Sequence, residues 1–268
     1  GGSEALIFAV MALCDPGDEI MVFEPFYANY TTFCKEFGAK INAVPTSVEN
    51  GYHLPSEEEI EKHITPKTKA ILLTNPGNPT GVVYTEAEQD MISRIVRKHN
   101  LALIADEVYR EFVYDGAYRS FGTMPELDDN LIIIDSVSKR FSACGARIGC
   151  LISKNKEFMN HAMKYCQARL SVATLDQIAS AALYTVGPEY FAAVRDEFGT
   201  PRRTEIAEGG PDMDDEDLIA REDMVVTVSH AGYVKRVPLA TYRAQRRGGV
   251  PVGRRSVDLR EGLEELLA

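Results

Sequence analysis

Leu131-Ile132-Ile133-Ile134-Asp135-Ser136-Val137-Ser138-Lys139 begins as an unbroken apolar run and ends in a polar group. A strand that is hydrophobic at every position, rather than at alternate ones, is covered on both faces. The same composition recurs on either side of it. Ile20–Phe23, Ile41–Val44, Ala70–Thr74, Leu101–Ala105 and Ile148–Ile152 read as further strands. Helical patterns fall between them, at Glu4–Leu13, Tyr27–Phe37, Ser56–His63, Glu86–Lys98 and Lys154–Leu170, and a long helix is expected over Leu175–Phe198. Ser56 with Glu59, and Thr85 with Glu88, have capping-box spacing. Strands alternating with helices predict the α/β class, a three-layer α/β/α domain around a mostly parallel sheet.

The whole chain has 268 residues, 45% of them hydrophobic and 26% charged, a globular composition with material for a sizeable core. Its longest apolar run, Ala5–Cys14, has ten residues. A bilayer span needs ~20, and the pattern of a signal peptide is missing. The five cysteines, Cys14, Cys34, Cys144, Cys150 and Cys166, are odd in number and lack Cys-x-x-Cys spacing. They read as reduced, mostly packed thiols, and the expected location is cytoplasmic. The histidines show no ligand spacing, so no metal is expected. A net charge of −11 argues against a chain-wide nucleic-acid surface.

That mean conceals a break. Residues 1–193 carry Arg and Lys in the ratio 7:10, whereas residues 194–268 carry them at 11:1. Two sequence sources, a chimera, would account for it. Beyond Gly199 the chain is punctuated by Pro201, Gly209, Gly210 and Pro211, and Asp212–Asp223 holds seven acids. Met224–Ser229 and Tyr233–Val237 predict a hairpin around His230-Ala231-Gly232. Lys235–Arg255 carries seven basic residues and no acid, and Val257–Ala268 reads as a short amphipathic helix.

Chemistry concentrates where predicted strands end, the edge at which open α/β sheets bind ligands. Asp106 follows Leu101–Ala105, and a buried carboxylate there stays ionised beside a cationic partner. Lys139 follows Leu131–Asp135, and a lysine in a partly dry pocket can lose its proton and form a Schiff base. Gly1-Gly2-Ser3 stands before a helix, whose free N–H groups favour a phosphate. Together these are a phosphate cradle, a partner for an electron-withdrawing ring, and an amine, the set that pyridoxal phosphate demands.

Asn75-Pro76-Gly77-Asn78-Pro79-Thr80-Gly81, Ala105-Asp106-Glu107-Val108-Tyr109 and Ser136-Val137-Ser138-Lys139 resemble, in order and spacing, the class I, fold type I, pyridoxal-phosphate aminotransferases. The resemblance covers residues 1–193. It implies a transferase that moves an amino group between an amino acid and a 2-oxo acid, and the homodimer usual in that family. It further implies that Lys139 forms the Schiff base and serves as general base for the proton shift. Asp106 would pair with the protonated ring nitrogen, and Tyr109 and Asn78 would bond the ring oxygen. Gly2, Ser3, Ser136, Ser138 and Arg147 would hold the phosphate, and Tyr27 would stack on the ring. The family's small C-terminal domain, with the arginine that clamps the substrate carboxylate, has no matching segment, so weak transamination is expected. A lyase or decarboxylase on the same fold is the alternative chemistry.

Val194–Ile206 and Asp214–Gly249 resemble instead the A subunit of DNA gyrase, where this region ends the cleavage domain and begins the DNA-wrapping domain. Gln245-Arg246-Arg247-Gly248-Gly249 matches the start of the gyrase box, but Val250-Pro251 departs from it. The resemblance implies DNA contact by Arg246 and Arg247, and the alternative function is a DNA-binding fragment on an inactive carrier. The adjoining acidic run would repel DNA, which favours a solvated remnant. The expected organisation is therefore 1–193 as an incomplete aminotransferase-like large domain, 194–249 as a gyrase A-like segment, and 250–268 as an unassigned tail.

Overall fold

Six strands lie side by side: β1 (Glu19–Glu24), β2 (Lys40–Pro45), β3 (Thr68–Thr74), β4 (Ala102–Asp106), β5 (Leu131–Ser136) and β6 (Gly149–Ile152). Their spatial order is β2-β1-β3-β4-β5-β6. Every neighbouring pair is parallel except β5–β6, which is antiparallel. The helices are α1 (Gly2–Leu13), α2 (Asn29–Glu36), α3 (Glu57–Lys62), α4 (Glu86–Lys98), α5 (Val137–Arg140), α6 (Lys156–Arg169), α7 (Thr174–Leu183) and α8 (Pro188–Phe198). This computed structural model describes residues 1–114 and 116–199 and the backbone of 224–228 and 234–238.

The layers follow from the period of two along each strand. Met21, Phe23, Ile71, Leu73 and Leu103 pack on one side with Ile60 of α3 and Ile92, Ile95 and Val96 of α4. Ile20, Val22, Leu72, Ile104, Ile132 and Ile134 pack on the other with α1, with Tyr30 and Phe33 of α2 and with Phe158 and Ala162 of α6. Each such aliphatic side chain contributes about 1.5–3 kcal/mol when fully buried. Continuous hydrophobicity in these strands is thus the mark of a sheet with helices on both faces.

Some elements differ from the sequence reading. Leu175–Phe198 is two helices, not one: Gly187 is extended, at φ −79° and ψ 174°, and Pro188 starts α8. Proline has no N–H to give and crowds the preceding turn, so the helix restarts there. Tyr27 precedes α2 rather than beginning it, which leaves its ring off the helix. The predicted box at Thr85 and Glu88 is complete. At Ser56 only half of it forms: Ser56 Oγ accepts from Glu59 N, while the Glu59 carboxylate pairs with Lys62. The four-residue α5 carries no sequence periodicity of its own.

The chain divides into two units, Gly1–Thr200 and Pro201–Ala268. In the second, β7 (Met224–Val228) pairs antiparallel with β8 (Val234–Pro238). The acidic run 212–223, the basic residues Arg246 and Arg247, and the tail with its expected helix lie outside the described residues. Among the described residues no helix is long and apolar enough to cross a membrane, and no group of His, Cys, Asp and Glu could hold a metal ion.

Candidate active site

Strand alternation puts Thr74, Asp106 and Ser136 on the same side as Leu72, Ile104 and Ile134, the side packed by α1, α2 and α6. They end three adjacent strands, with Thr74 opposite Asp106 and Asp106 opposite Ile134. At this carboxyl edge lies a cavity of about 300 Å³. All ten residues singled out in residues 1–193 line it: Gly2, Ser3, Tyr27, Asn78, Asp106, Tyr109, Ser136, Ser138, Lys139 and Arg147. Tyr30, Thr74 and Cys144, which sequence reasoning missed, line it too.

One wall is the N-terminus of α1, whose N-cap, Gly1, leaves the first-turn N–H groups without a side-chain partner. Such groups attract an anion. The fit is close: a Cβ on Gly1 would stand 2.8 Å from Arg147 Nη2, and one on Gly149 would stand 2.5 Å from Gly2 N. Arg147 itself sits in the left-handed region, at φ 54° and ψ 33°. A non-glycine residue there is mildly strained. Its Nη1 donates to Cys144 O at 2.8 Å. Ser136 caps α5, its Oγ accepting from Ser138 N at 3.3 Å.

Lys139 Nζ lies 5.9 Å from the centre of the Tyr109 ring. Asn78 Nδ2 donates to the Tyr109 hydroxyl at 3.3 Å. Lys139 is exposed, so the partly dry pocket expected around it is open to solvent on the described side. Tyr27 Oη accepts from Asn29 Nδ2 at 2.7 Å, and its ring meets Tyr30 edge-on at 5.5 Å.

Asp106 is buried. Tyr30 Oη donates to its Oδ2 at 2.7 Å, and Val108 N donates to its Oδ1 at 3.4 Å. The single Tyr30 proton is thereby used, so in the 2.6 Å contact between Tyr30 Oη and Thr74 Oγ1 the threonine donates. Burial raises the Asp106 carboxyl to about 6; the Tyr30 and Val108 bonds oppose the shift, and the nearby Asp135 and Glu107 charges add to it. Among the described residues no cation pairs with Asp106, so this is a carboxylate lacking its counter-ion. A group bringing a cationic ring nitrogen and a dianionic phosphate, one to Asp106 and the other to Arg147 and the α1 N-terminus, fits the donor and charge pattern. Thr74 escaped the sequence reading because its place beside Asp106 depends on strand register, and Tyr30 because its place depends on how α2 packs on the sheet.

The family model for aminotransferase class I and II matches residues 1–204, and that for the DNA gyrase C-terminal domain, beta-propeller, matches residues 223–268. An aspartate aminotransferase of Thermotoga maritima is 40% identical over 156 residues, covering 58% of this chain and 41% of the relative. A probable kynurenine–oxoglutarate transaminase of Saccharomyces cerevisiae is 31% identical over 212 residues, covering 74% and 48%. Among solved structures, the Thermotoga maritima aspartate aminotransferase superposes with TM-score 0.69 at 34% identity, covering 74% of this chain and 52% of its own. The alanine aminotransferase of Pyrococcus furiosus gives 0.68 at 33%, covering 72% and 50%. The chain thus spans about half the length of the relatives it matches. Motifs, sheet order and the match over residues 1–204 together make it a member of the aminotransferase class I and II family.

Proposed function

We propose that residues 1–193 form the cofactor-binding part of a pyridoxal-phosphate-dependent aminotransferase acting on an amino acid and a 2-oxo acid. One observation carries the reading: a buried carboxylate with no cation beside it among the described residues, Asp106, shares a cavity with Lys139 and with the Arg147–α1 anion cradle. When bound, pyridoxal phosphate supplies an electrophilic carbonyl and a cationic ring that draws electrons from the substrate's α-carbon. Every other task falls to the chain. Lys139 Nζ offers the amine, and then takes and returns the proton at the substrate's α-carbon. Asp106, fixed by Tyr30 and Val108 N–H, keeps the ring nitrogen protonated. Tyr109 and Asn78 hold the ring oxygen, and Tyr27 covers the ring. Gly2, Ser3, Ser136, Ser138 and Arg147 hold the phosphate.

The organisation proposed for the rest is a gyrase A-like segment over 194–249 and a tail over 250–268, joined to the aminotransferase part as a chimera. The support is the shift in basic-residue usage and the separate match to a gyrase domain over 223–268. DNA is not the favoured partner, because seven acids in 212–223 adjoin the basic stretch. A second copy of the chain is the partner the family suggests.

Borohydride reduction after addition of pyridoxal phosphate, followed by peptide mass mapping, tests the reading. A pyridoxyl adduct on Lys139, with none in Lys139→Ala, is expected. Adducts spread over other lysines of the parent protein would overturn it.

A further inference from the structure

Beneath the cavity the backbone separates three pairs of chain neighbours in the same manner. Tyr109, Ser136 and Lys139 face the cavity. Arg110, Asp135 and Arg140, each next in sequence to one of them, meet on the opposite side. Arg110 Nη2 lies 2.9 Å from Asp135 Oδ2, and Arg140 Nη1 lies 3.6 Å from the same oxygen. Arg140 Nη2 continues to Glu111 Oε1 at 3.1 Å. Asp135 Oδ1 accepts Ser136 N–H at 2.8 Å. The side chains of Arg140 and Asp135 are only 6% and 5% exposed, and the guanidinium of Arg140 stands 5.7 Å from the centre of the Tyr184 ring.

A buried ion cluster is a weak source of stability, since desolvation offsets most of the attraction. Its geometry adds a directional constraint to the packing of Val137, the buried apolar residue of α5. Helix α5 has four residues, too few to hold a helical conformation alone. Successive side chains on a helix diverge by about 100°, so whatever fixes Arg140 also fixes the direction of Lys139.

We propose that Asp135 and Arg140 are positioning residues: their ion pair sets the rotation of α5 against β5 and aims the Lys139 amine into the cavity. Arg110, pulled to the same carboxylate, orients Tyr109 from the other side, so one anion registers both residues. The proposal rests on the reading of Lys139 as the cofactor lysine, and the test keeps the two apart.

The full chain is loaded with pyridoxal phosphate, and two signals are read. Visible circular dichroism per bound cofactor reports how the ring is held, and borohydride labelling reports which amine reached it. In Arg140→Met, folded by far-ultraviolet circular dichroism, the dichroism per cofactor is expected to fall severalfold. Labelling of Lys139 at subsaturating cofactor is expected to fall about tenfold, and Arg140→Lys is expected to restore part of both. Parent-like signals in folded Arg140→Met overturn the proposal. Should that variant not fold, Asp135→Asn, of equal volume, is measured in the same way, and parent-like signals there overturn it equally. Failure of the parent chain to label at Lys139 overturns the cofactor reading itself, and this proposal with it.

Discussion

The hydroxyl of Tyr30 donates to the carboxylate of Asp106 at 2.7 Å, and both groups are buried. This bond is the principal side-chain influence that opposes the rise of the Asp106 carboxyl. Tyr30→Phe strips Asp106 of that donor and Thr74 of its acceptor. The expected cost is about 1–3 kcal/mol of stability, read as a lower thermal midpoint. Asp106 should also hold its proton to higher pH, and cofactor affinity at pH 7 should weaken in a fluorescence titration. Parent-like affinity would remove the Tyr30 hydroxyl from the functional machinery.

The raised Asp106 carboxyl has a consequence for the cofactor-free protein. A folded value of about 6 against an ordinary 3.8 means that the native state binds more protons than the unfolded state between those limits. Stability therefore falls as pH rises through that window, by about 3 kcal/mol. Asp106→Asn removes this contribution. It should make the cofactor-free protein more stable at pH 7 while abolishing cofactor retention. Urea midpoints measured at pH 4 and pH 7 check the first part, and the visible band after dialysis checks the second. Equal pH dependence in parent and variant would show that Asp106 is not the group responsible.

Gly149 is where β6 passes beneath the start of α1. The Cβ of Gly149→Ala would stand 2.5 Å from Gly2 N and 3.0 Å from Asp135 O, both backbone atoms with little room to yield. Overpacking of this kind costs about 1–3 kcal/mol. Because the displaced atoms belong to the proposed phosphate cradle, the affinity for pyridoxal phosphate should drop more than that for pyridoxal. Equal loss for both ligands would indicate general destabilisation instead.

Among the described residues, Arg147 is the one guanidinium that lines the cavity. A guanidinium bonded to a phosphate contributes about 1.5–3 kcal/mol. Arg147→Ala should therefore weaken the binding of pyridoxal phosphate by about that much and leave that of pyridoxal close to the parent value. Fluorescence titrations with the two ligands measure this, and an equal change for both would show that Arg147 does not hold the phosphate.

The sheet was legible in the sequence because runs such as Leu131–Ile134 and Ala70–Leu73 are apolar at every position and short, and alternate with helical patterns. Six of the ten lining residues lie in the three motifs at strand ends; Gly2 and Ser3 were legible at the start of a helix, and Tyr27 and Arg147 only through the family resemblance. Thr74 and Tyr30 were not, because their meeting with Asp106 is set by which strands lie together and by how α2 packs on them. Nor was the cluster of Arg110, Asp135 and Arg140, whose members are up to thirty positions apart. The continuous helix expected over Leu175–Phe198 failed locally: Gly187-Pro188 interrupts a run whose apolar spacing continues on both sides.

Asp135 and Ser136 occupy opposite sides of β5 by parity alone. Deleting or inserting a single residue upstream in that strand would exchange them, bringing a fixed negative charge to the anion cradle and a hydroxyl to the two guanidiniums. Length between Leu131 and Lys139 is therefore as closely constrained as the identities of Asp135, Ser136 and Lys139: removing one residue there would undo the arrangement even with each of those side chains kept.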